Sequence, residues 1–411
     1  MTSTDVDIRL IPIAAIITPA TLSTRLTSVM PVPISRLPIP HVDFEGLATI
    51  GDMLMLNEVV YGSEERQYSK YGYSKPSQIL TTTAGSVVAS AELLLIQPPS
   101  ANSSWEYIFP GPSIKCNALD DNSHQRVRKN LAAYLEDHIG STTLRVYRYM
   151  SWHQLRTGSG AHISLPFVPL AANDTLVFDS TLARAYSNTI YIYVAASSVA
   201  NRIQNLTENS NTTIMGADGN VPDWLDGSIT ECKLYESTYD VTFHYRNNLQ
   251  DISIDSAIAP DSDPLPTITD LLVATNDDSR TSPCPSADGE RGRTADRSAC
   301  VGEPAARRKL SYQAIFDAFS QTVQGSIYDL SWQPYTLDTG VLDTALVRTR
   351  ELSRLRRAFP SLQNVLASRT ELSLGVDNSS LDEGPEVPLA NTLETMFENL
   401  TVSLMASPLL Q

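Results

Sequence analysis

The stretch Asn102–Cys116 has the sequence Asn-Ser-Ser-Trp-Glu-Tyr-Ile-Phe-Pro-Gly-Pro-Ser-Ile-Lys-Cys, and the rest of the chain is organised around it. It opens with an N-glycosylation acceptor and ends with a cysteine. Trp105, Tyr107 and Phe109 are two residues apart, so a β-strand places all three side chains on one face. This alternation is typical of a strand with one buried face.

A second stretch, Glu231–Asn248, has the same period and is the predicted partner of the first. Cys232 opens it, and aromatic or β-branched residues alternate with polar ones after it. The apolar positions are Tyr235, Tyr239, Val241, Phe243 and Tyr245. Two alternating strands, each with a cysteine near one end, predict a disulfide-tied sheet in a secreted or lumenal domain.

Four cysteines occur in the chain: Cys116, Cys232, Cys284 and Cys300. The absence of a Cys-x-x-Cys pair disfavours a zinc site and thioredoxin-like chemistry. Four cysteines allow three pairings, and sequence alone does not choose among them. Because Cys284 and Cys300 lie in one loop, their pairing is favoured, which leaves Cys116 with Cys232.

Sequons for N-glycosylation are spread over the whole length of the chain. The six acceptors are Asn102, Asn173, Asn205, Asn211, Asn378 and Asn399. Together with an even number of cysteines, they favour passage through the secretory pathway. We therefore expect a glycoprotein domain on the lumenal or extracellular side of a membrane.

Composition restricts the class of partner. A length of 411 residues allows two or three domains, or one large domain with insertions, and 42% hydrophobic residues are enough for a substantial core. The net charge of −16 argues against nucleic acid, because phosphates attract basic proteins. An anionic membrane surface is disfavoured for the same reason.

The N-terminal residues 1–40 are interpreted as an apolar segment followed by a proline-rich connector. The apolar run Ile8–Leu22 is interrupted by Pro12 and Pro19 and is shorter than the roughly 20 residues that a membrane-spanning helix needs. It also lacks the basic residues that begin a signal peptide. Pro31–Pro40 has too many prolines for a helix or a central strand.

Residues 41–275 are predicted to form a β-rich domain. Leu144–Trp152 and Thr189–Val194 are strand candidates because of their β-branched and aromatic content. The apolar run Val87–Gln97 is predicted to be a buried strand that ends at the following prolines. A helix capped by Ser123 is expected to continue to about Gly140.

Residues 276–309 differ in composition from their surroundings and are predicted to be a disordered insertion. Arginines lie among Ser, Pro, Gly, Ala and Asp without any apolar period. Residues 310–411 are predicted to be helical and to pack on the β-rich domain. The expected helices run from Ser311, as the cap, to about Ile327, from Leu342 to Phe359 and from Leu389 to Leu404.

Candidate chemistry is sparse in this sequence. The six histidines (His41, His124, His138, His153, His162 and His244) are scattered and form no His-Glu-x-x-His motif. The loop around Ser159 has glycines directly beside the serine, so it lacks the spacing of a serine-nucleophile elbow. The calcium-loop pattern that begins at Asp218 fails at Pro222. We therefore assign no catalytic, metal-binding or cofactor-binding residues.

Four segments together resemble a family of large fungal integral membrane proteins that has no assigned activity. The first is the apolar tract Ala14–Leu22, which in that family follows a membrane segment. The second contains Asn102–Trp105 and Gly111–Cys116, and the third runs from Cys232 to Tyr245. The last, Phe397–Leu404, is similar to the helix that precedes the closing membrane span.

The resemblance implies an extracytoplasmic location and supplies no catalytic residues. This chain departs from the family in lacking both flanking membrane helices and in carrying the 276–309 insertion, which suggests an incomplete gene model. The expected fold is α+β, with a sandwich-like β-rich body and a helical C-terminal part. The expected function is a non-catalytic, glycosylated surface or interaction module. The alternative is a secreted or membrane-tethered hydrolase with catalytic carboxylates on loops.

Overall fold

The computed structural model describes residues 39–63, 66–122, 124–125, 128, 145–153, 188–195, 227–268, 270–272, 299–300, 303–330, 333–337, 339–358 and 387–407. These residues contain a run of antiparallel strands together with helices, including one near the C-terminus, so the predicted α+β class is confirmed. From Pro40 onward they belong to one compact unit.

The largest element is an antiparallel sheet, which has seven strands among the described residues. Its order is β11-β10-β4-β5-β6-β3, and β7 pairs with β6 beside β5. These strands are β3 (Ser103–Ala118), β4 (Arg145–His153), β5 (Thr189–Ala195), β6 (Gly227–Arg246), β7 (Leu249–Ile258), β10 (Gly325–Leu330) and β11 (Gln333–Leu337). The strands predicted at Leu144–Trp152 and Thr189–Val194 are therefore confirmed as β4 and β5.

A smaller sheet and a set of helices complete the described architecture. The smaller sheet has the order β1-β2-β8-β9, formed by β1 (Leu54–Ser63), β2 (Arg66–Pro76), β8 (Asp270–Leu272) and β9 (Ala299–Cys300). The helices are α1 (Leu47–Met53), α2 (Gln78–Ser90), α3 (Pro304–Val323), α4 (Arg350–Ala358) and α5 (Leu389–Ser403). The Tyr73 hydroxyl of β2 donates to Asp317 Oδ2 of α3 at 2.6 Å, which links the smaller sheet to the helices.

The pairing of β3 with β6 confirms the strands predicted from the two alternating stretches. Trp105 lies opposite Phe243, Phe109 lies opposite Tyr239, and the register is regular along the whole of β3. Trp105, Tyr107 and Phe109 share one face, as the alternation predicts.

The buried face of this strand pair changes along its length. At the Trp105 end the aromatic face is turned to the core. Towards the other end, Ile114 and Cys116 on the opposite face are 2% and 5% exposed. Between them, both faces of β3 are buried around Gly111 and Pro112.

The helix α5 confirms the predicted C-terminal helix and lies on β3. Its apolar stripe is buried at every predicted position: Leu389, Leu393, Met396, Phe397, Leu400 and Leu404. Phe397 makes edge-to-face contacts with Phe316 and Phe319 of α3, with ring centroids 6.3 and 5.2 Å apart. A helical layer therefore covers β3 on the core side.

The strand predicted at Val87–Gln97 is wrong, because α2 continues to Ser90. Ser77 caps α2 by accepting from the Leu80 N–H, and Ala91 ends it in the left-handed conformation. Val87 and Val88 are buried in a helix, and residues 93–98 form neither helix nor strand. A short apolar run does not distinguish a buried strand from a buried helix segment.

The helix predicted from Ser311 begins earlier and ends earlier than expected. Pro304 occupies the first turn of α3, where its missing N–H costs nothing. Ser311 is therefore not a cap but a buried residue, whose hydroxyl donates to Phe44 O. Ile327 lies in β10, because α3 ends at Val323.

The 276–309 insertion is placed incorrectly at its C-terminal end, because residues 304–309 form the first turns of α3. Arg308 pairs with Glu45 at 2.5 Å and with Glu236 at 3.0 Å. Ala299 and Cys300 form a short parallel strand beside β8. The predicted disorder of residues 276–298 stays a prediction, because these residues lie outside the described part of the chain.

The helix predicted at Leu342–Phe359 is also only partly correct. Two 3₁₀ turns, Val341–Asp343 and Ala345–Arg348, precede α4. The Thr344 and Thr349 side chains donate to the carbonyls of Val341 and Leu346 in these turns. Such local side-chain bonds compete with a continuous α-helix. Most of the helix expected after Ser123 lies outside the described residues.

Candidate functional site

The candidate site is the solvent-facing side of the three neighbouring strands β3, β6 and β7, which we call the outer face. It is formed by the residues that alternate with the buried aromatic face. Its members are Ser104, Glu106, Ile108, Asp240, Thr242, His244, Asp251, Ser253 and Asp255. The sequence analysis assigned no site here and did not recognise β7 as a strand.

A hairpin turn brings β7 beside β6. Asn247 and Asn248 have positive φ angles of 52° and 63°, as a two-residue hairpin of the primed type requires. Asparagine tolerates this conformation better than most residues. The Asn-Asn pair and the alternation of Leu249–Ile258 were the sequence signals that could have revealed this strand.

The outer face is acidic and partly apolar. Asp240 lies directly opposite Asp255, an arrangement of like charges that destabilises a strand pair. Within the described residues, no lysine or arginine forms an ion pair with Asp240, Asp251 or Asp255. Ile108 is 65% exposed among these carboxylates. A cationic ligand would relieve this unbalanced charge.

One row across the outer face contains Ser104, His244 and Asp251 on three adjacent strands. The Ser104 Oγ and His244 Nδ1 atoms are 2.8 Å apart, and Asp251 is the cross-strand neighbour of His244. These are the residue types of a serine hydrolase. Among the described residues, however, no hydrogen bond joins His244 to Asp251, and His244 is exposed. The row lacks the base-to-carboxylate contact that orients a catalytic histidine.

The opposite, buried face of the strand pair β3 and β6, which we call the ribbon, is a stack of aromatic rings. Trp105 stacks on Phe243 with ring centroids 4.6 Å apart, and Phe109 stacks on Tyr239 at 5.2 Å. The Tyr245 hydroxyl donates to Ile96 O at 2.9 Å, and burial raises the pKa of Tyr245 to about 12. Aromatic pairs contribute about 0.5–1.5 kcal/mol each beyond burial.

The disulfide Cys116–Cys232 closes the far end of the ribbon and confirms that predicted pair. The two cysteines are direct cross-strand partners with Cα atoms 4.0 Å apart. The bond spans 116 residues of sequence. A loop of that order stabilises the folded state by about 4–5 kcal/mol in the chain-entropy model. The predicted Cys284–Cys300 pair stays a prediction, because Cys284 lies outside the described residues.

Two carboxylates on α5 come nearest to the pair expected of a hydrolase. Burial raises the pKa of Glu398, and the negative charge of Glu394 adds to the shift, while the Ser256 hydroxyl donor lowers it. Glu394 accepts from the Cys116 N–H at 2.7 Å, and Glu398 accepts from Ser256. Both carboxylates therefore hold α5 against the sheet.

Two of the six predicted glycosylation sites are in the described residues. Asn102 is exposed, and its Oδ1 accepts from the Asn247 N–H at 2.9 Å. Asn399 is half-buried, and its Nδ2 donates to Ala91 O at 3.0 Å, so a glycan on this nitrogen would leave a single N–H for that bond. Asn173, Asn205, Asn211 and Asn378 lie outside the described part, as do Ser159 and Asp218.

Comparison with protein families, curated proteins and solved structures finds no significant match to this chain. Among the residues described, no helix has both the length and the apolar character needed to cross a membrane. Over the same residues, no group of three His, Cys, Asp or Glu side chains is arranged to hold a metal ion.

Proposed function

We propose that this chain is a glycosylated, extracytoplasmic domain of a fungal membrane protein, and that it acts as a non-catalytic interaction module. The observation that carries the proposal is the outer face of β3, β6 and β7. It is exposed, with carboxylates that have no cationic partner among the described residues. Exposed groups of this kind form interaction surfaces more readily than active sites, which are concave.

The extracytoplasmic location is supported by the chemistry of the ribbon. A structural disulfide persists in oxidising compartments and is rare in the cytosol of mesophiles. Cys116 and Cys232 are 5% and 0% exposed, which suits a structural role better than a redox-active one. Asn102 adds an exposed acceptor at the opposite end of the same strand.

The rigid construction of the ribbon supports a binding role. The stacked rings of Trp105, Phe243 and Tyr245 fix one side of the sheet, and α5 packs behind it. A preformed surface avoids part of the entropy that binding otherwise costs. The outer face therefore has the preorganisation of a recognition surface.

The test of the location is glycan mapping. The chain is expressed with its natural flanking segments in a fungal host and treated with an N-glycosidase. We expect the treatment to increase the electrophoretic mobility. For the variant Asn102→Gln, this increase should be smaller by the amount that one glycan contributes. Asn117→Gln is the matched control, because Asn117 is exposed on the same strand outside any sequon. A folded, abundant protein with all six sequons unmodified would refute the location.

A further inference from the structure

In the three neighbouring strands β3, β6 and β7, the two outer edges, one on β3 and one on β7, are protected unequally. On β3, Pro110 and Pro112 interrupt the row of N–H donors, and α5 covers part of the edge. Glu394 accepts from the Cys116 N–H, and the Thr401 hydroxyl donates to Pro112 O at 3.1 Å. Proline and a covering helix are two of the devices by which proteins block edge strands.

The opposite edge, β7, has no proline, and α5 and the segment 94–96 bond to it through the Ser256 and Gln250 side chains rather than through its backbone. Leu249–Ile258 pairs with β6 over ten residues without a register shift, and it contains no proline or lysine. In the described part of the chain, its backbone hydrogen-bonds only to β6. A long, regular edge with unpaired backbone groups is a template for another strand.

The side chains of β7 specify what such a strand would carry. On the outer side, Asp251 and Asp255 are exposed beside Asp240 of β6. On the inner side, Ile252 and Ile254 are half-buried against the core, so part of their apolar surface is still uncovered. An added strand gains from basic residues on the first side and apolar residues on the second.

We propose that β7 binds an extended peptide segment in which basic and apolar residues alternate, and that this segment adds a strand to the sheet. This inference rests on the proposed function, because it names the partner class of the interaction module. A second copy of the chain fits less well. Each copy has a net charge of −16, and pairing β7 with itself about Ser253 would place Asp251 opposite Asp255.

Binding of a synthetic peptide tests the proposal. The probe is a short, fluorescently labelled peptide alternating lysine and valine, and its binding to the full chain is followed by fluorescence anisotropy. The control peptide has the same sequence with every backbone nitrogen methylated, so that neither of its edges can donate to a ladder. We expect the first peptide to bind and the methylated one to bind at least about tenfold more weakly, because the ladder supplies the affinity.

Two kinds of variant separate strand addition from simple charge attraction. Asp255→Lys should weaken binding about fivefold, whereas Asp121→Lys, the same change at an exposed site beyond the other end of β3, should not. Ser253→Pro and Ile254→Pro are made in parallel. Adjacent residues of a strand direct their N–H groups to opposite edges, so one proline damages the β6 ladder and the other blocks only the open edge.

The edge-blocking variant is the one of the two that lowers the melting temperature less, and it should abolish peptide binding. Equal binding of the methylated peptide, or binding that survives the edge-blocking proline, would overturn the proposal. Dimerisation of the wild type that this proline removes would assign the edge to a second copy instead and also overturn it. Absence of peptide binding would refute strand addition while leaving the glycan test of location unaffected.

Discussion

Glu394 of α5 accepts a hydrogen bond from the backbone N–H of Cys116 at 2.7 Å, although 278 residues separate the two in sequence. The same carboxylate pairs with Lys115 Nζ at 3.3 Å. This contact fastens the C-terminal helix to the edge strand at the disulfide. The helical part and the sheet are therefore expected to unfold together.

Replacing Glu394 by alanine should lower stability by about 1–3 kcal/mol, because the buried Cys116 N–H loses its acceptor. Glu394→Gln keeps an acceptor oxygen and should recover most of the loss. Thr395→Ala is the control, since Thr395 is exposed on the same helix. Urea unfolding measures all three variants. An alanine variant as stable as the wild type would show that α5 is held by its apolar stripe alone.

Gly111 is required where β3 changes its buried face. A Cβ atom at this position would lie 2.9 Å from two ring atoms of Tyr239. The Tyr239 hydroxyl donates to Pro112 O at 2.5 Å, so the ring cannot move without loss of that bond. We expect Gly111→Ala to cost about 1–3 kcal/mol, as overpacking usually does.

The control for this substitution is Gly51→Ala, because a Cβ at Gly51 in α1 meets nothing within 4 Å. That change should be neutral or should stabilise by up to about 1 kcal/mol, since alanine favours the helix. Thermal unfolding distinguishes the two. Equal effects of the two substitutions would be inconsistent with the Tyr239 contact.

The β3–β6 pair was predictable because both strands alternate strictly. The alternation around Trp105 and Phe243 indicates which face of each strand is buried, and the two cysteines lie at the same end of the strand pair. The α5 stripe was predictable for the same reason, since its period of burial matches the helix. The period of apolar residues in the sequence therefore identifies the strands and helices that bury only one face.

Contacts between distant segments explain what the sequence analysis missed. Arg308 lies in a stretch whose composition is typical of disorder. Glu45 and Glu236, which are distant in sequence, form ion pairs with it. Val87 was predicted to lie in a strand, because a short apolar run does not distinguish a strand from a helix segment. The outer face was not predicted because it depends on β7. The predicted strand ended at Asn248, and no strand was predicted after it.

The carboxyl group of Glu398 predicts a specific pH dependence. Burial raises its pKa above the ordinary value of a glutamate, so the folded state holds the proton more tightly than the unfolded state. Its stabilising contribution is complete below the unfolded pKa and is lost as pH rises through the folded pKa. Glu398→Gln removes this titration and keeps an acceptor for Ser256.

The melting temperature of Glu398→Gln should therefore rise relative to the wild type between pH 4 and pH 7. Asp121→Asn, at an exposed site, controls for the change in net charge. Calorimetric melting temperatures across this range provide the measurement. A difference that shrinks as pH rises would have the wrong sign for a buried carboxyl.

The row of Ser104, His244 and Asp251 is expected to be inert as a catalyst. Because water is not excluded and the His244-to-Asp251 bond is missing among the described residues, Ser104 is not activated. A fluorophosphonate probe should not label Ser104. Hydrolysis of p-nitrophenyl acetate should be unchanged by His244→Ala. Labelling that His244→Ala abolishes would instead support the hydrolase alternative.

Cys116–Cys232 ties the β3–β6 ribbon, and we propose that this bond forms in an oxidising compartment. The most direct test is peptide mass spectrometry of the native protein, taken from its own cells with thiols alkylated before lysis and without reduction. We expect a linked peptide pair containing Cys116 and Cys232, with neither cysteine alkylated. Recovery of both as alkylated free thiols from folded protein would contradict the disulfide and the extracytoplasmic location together.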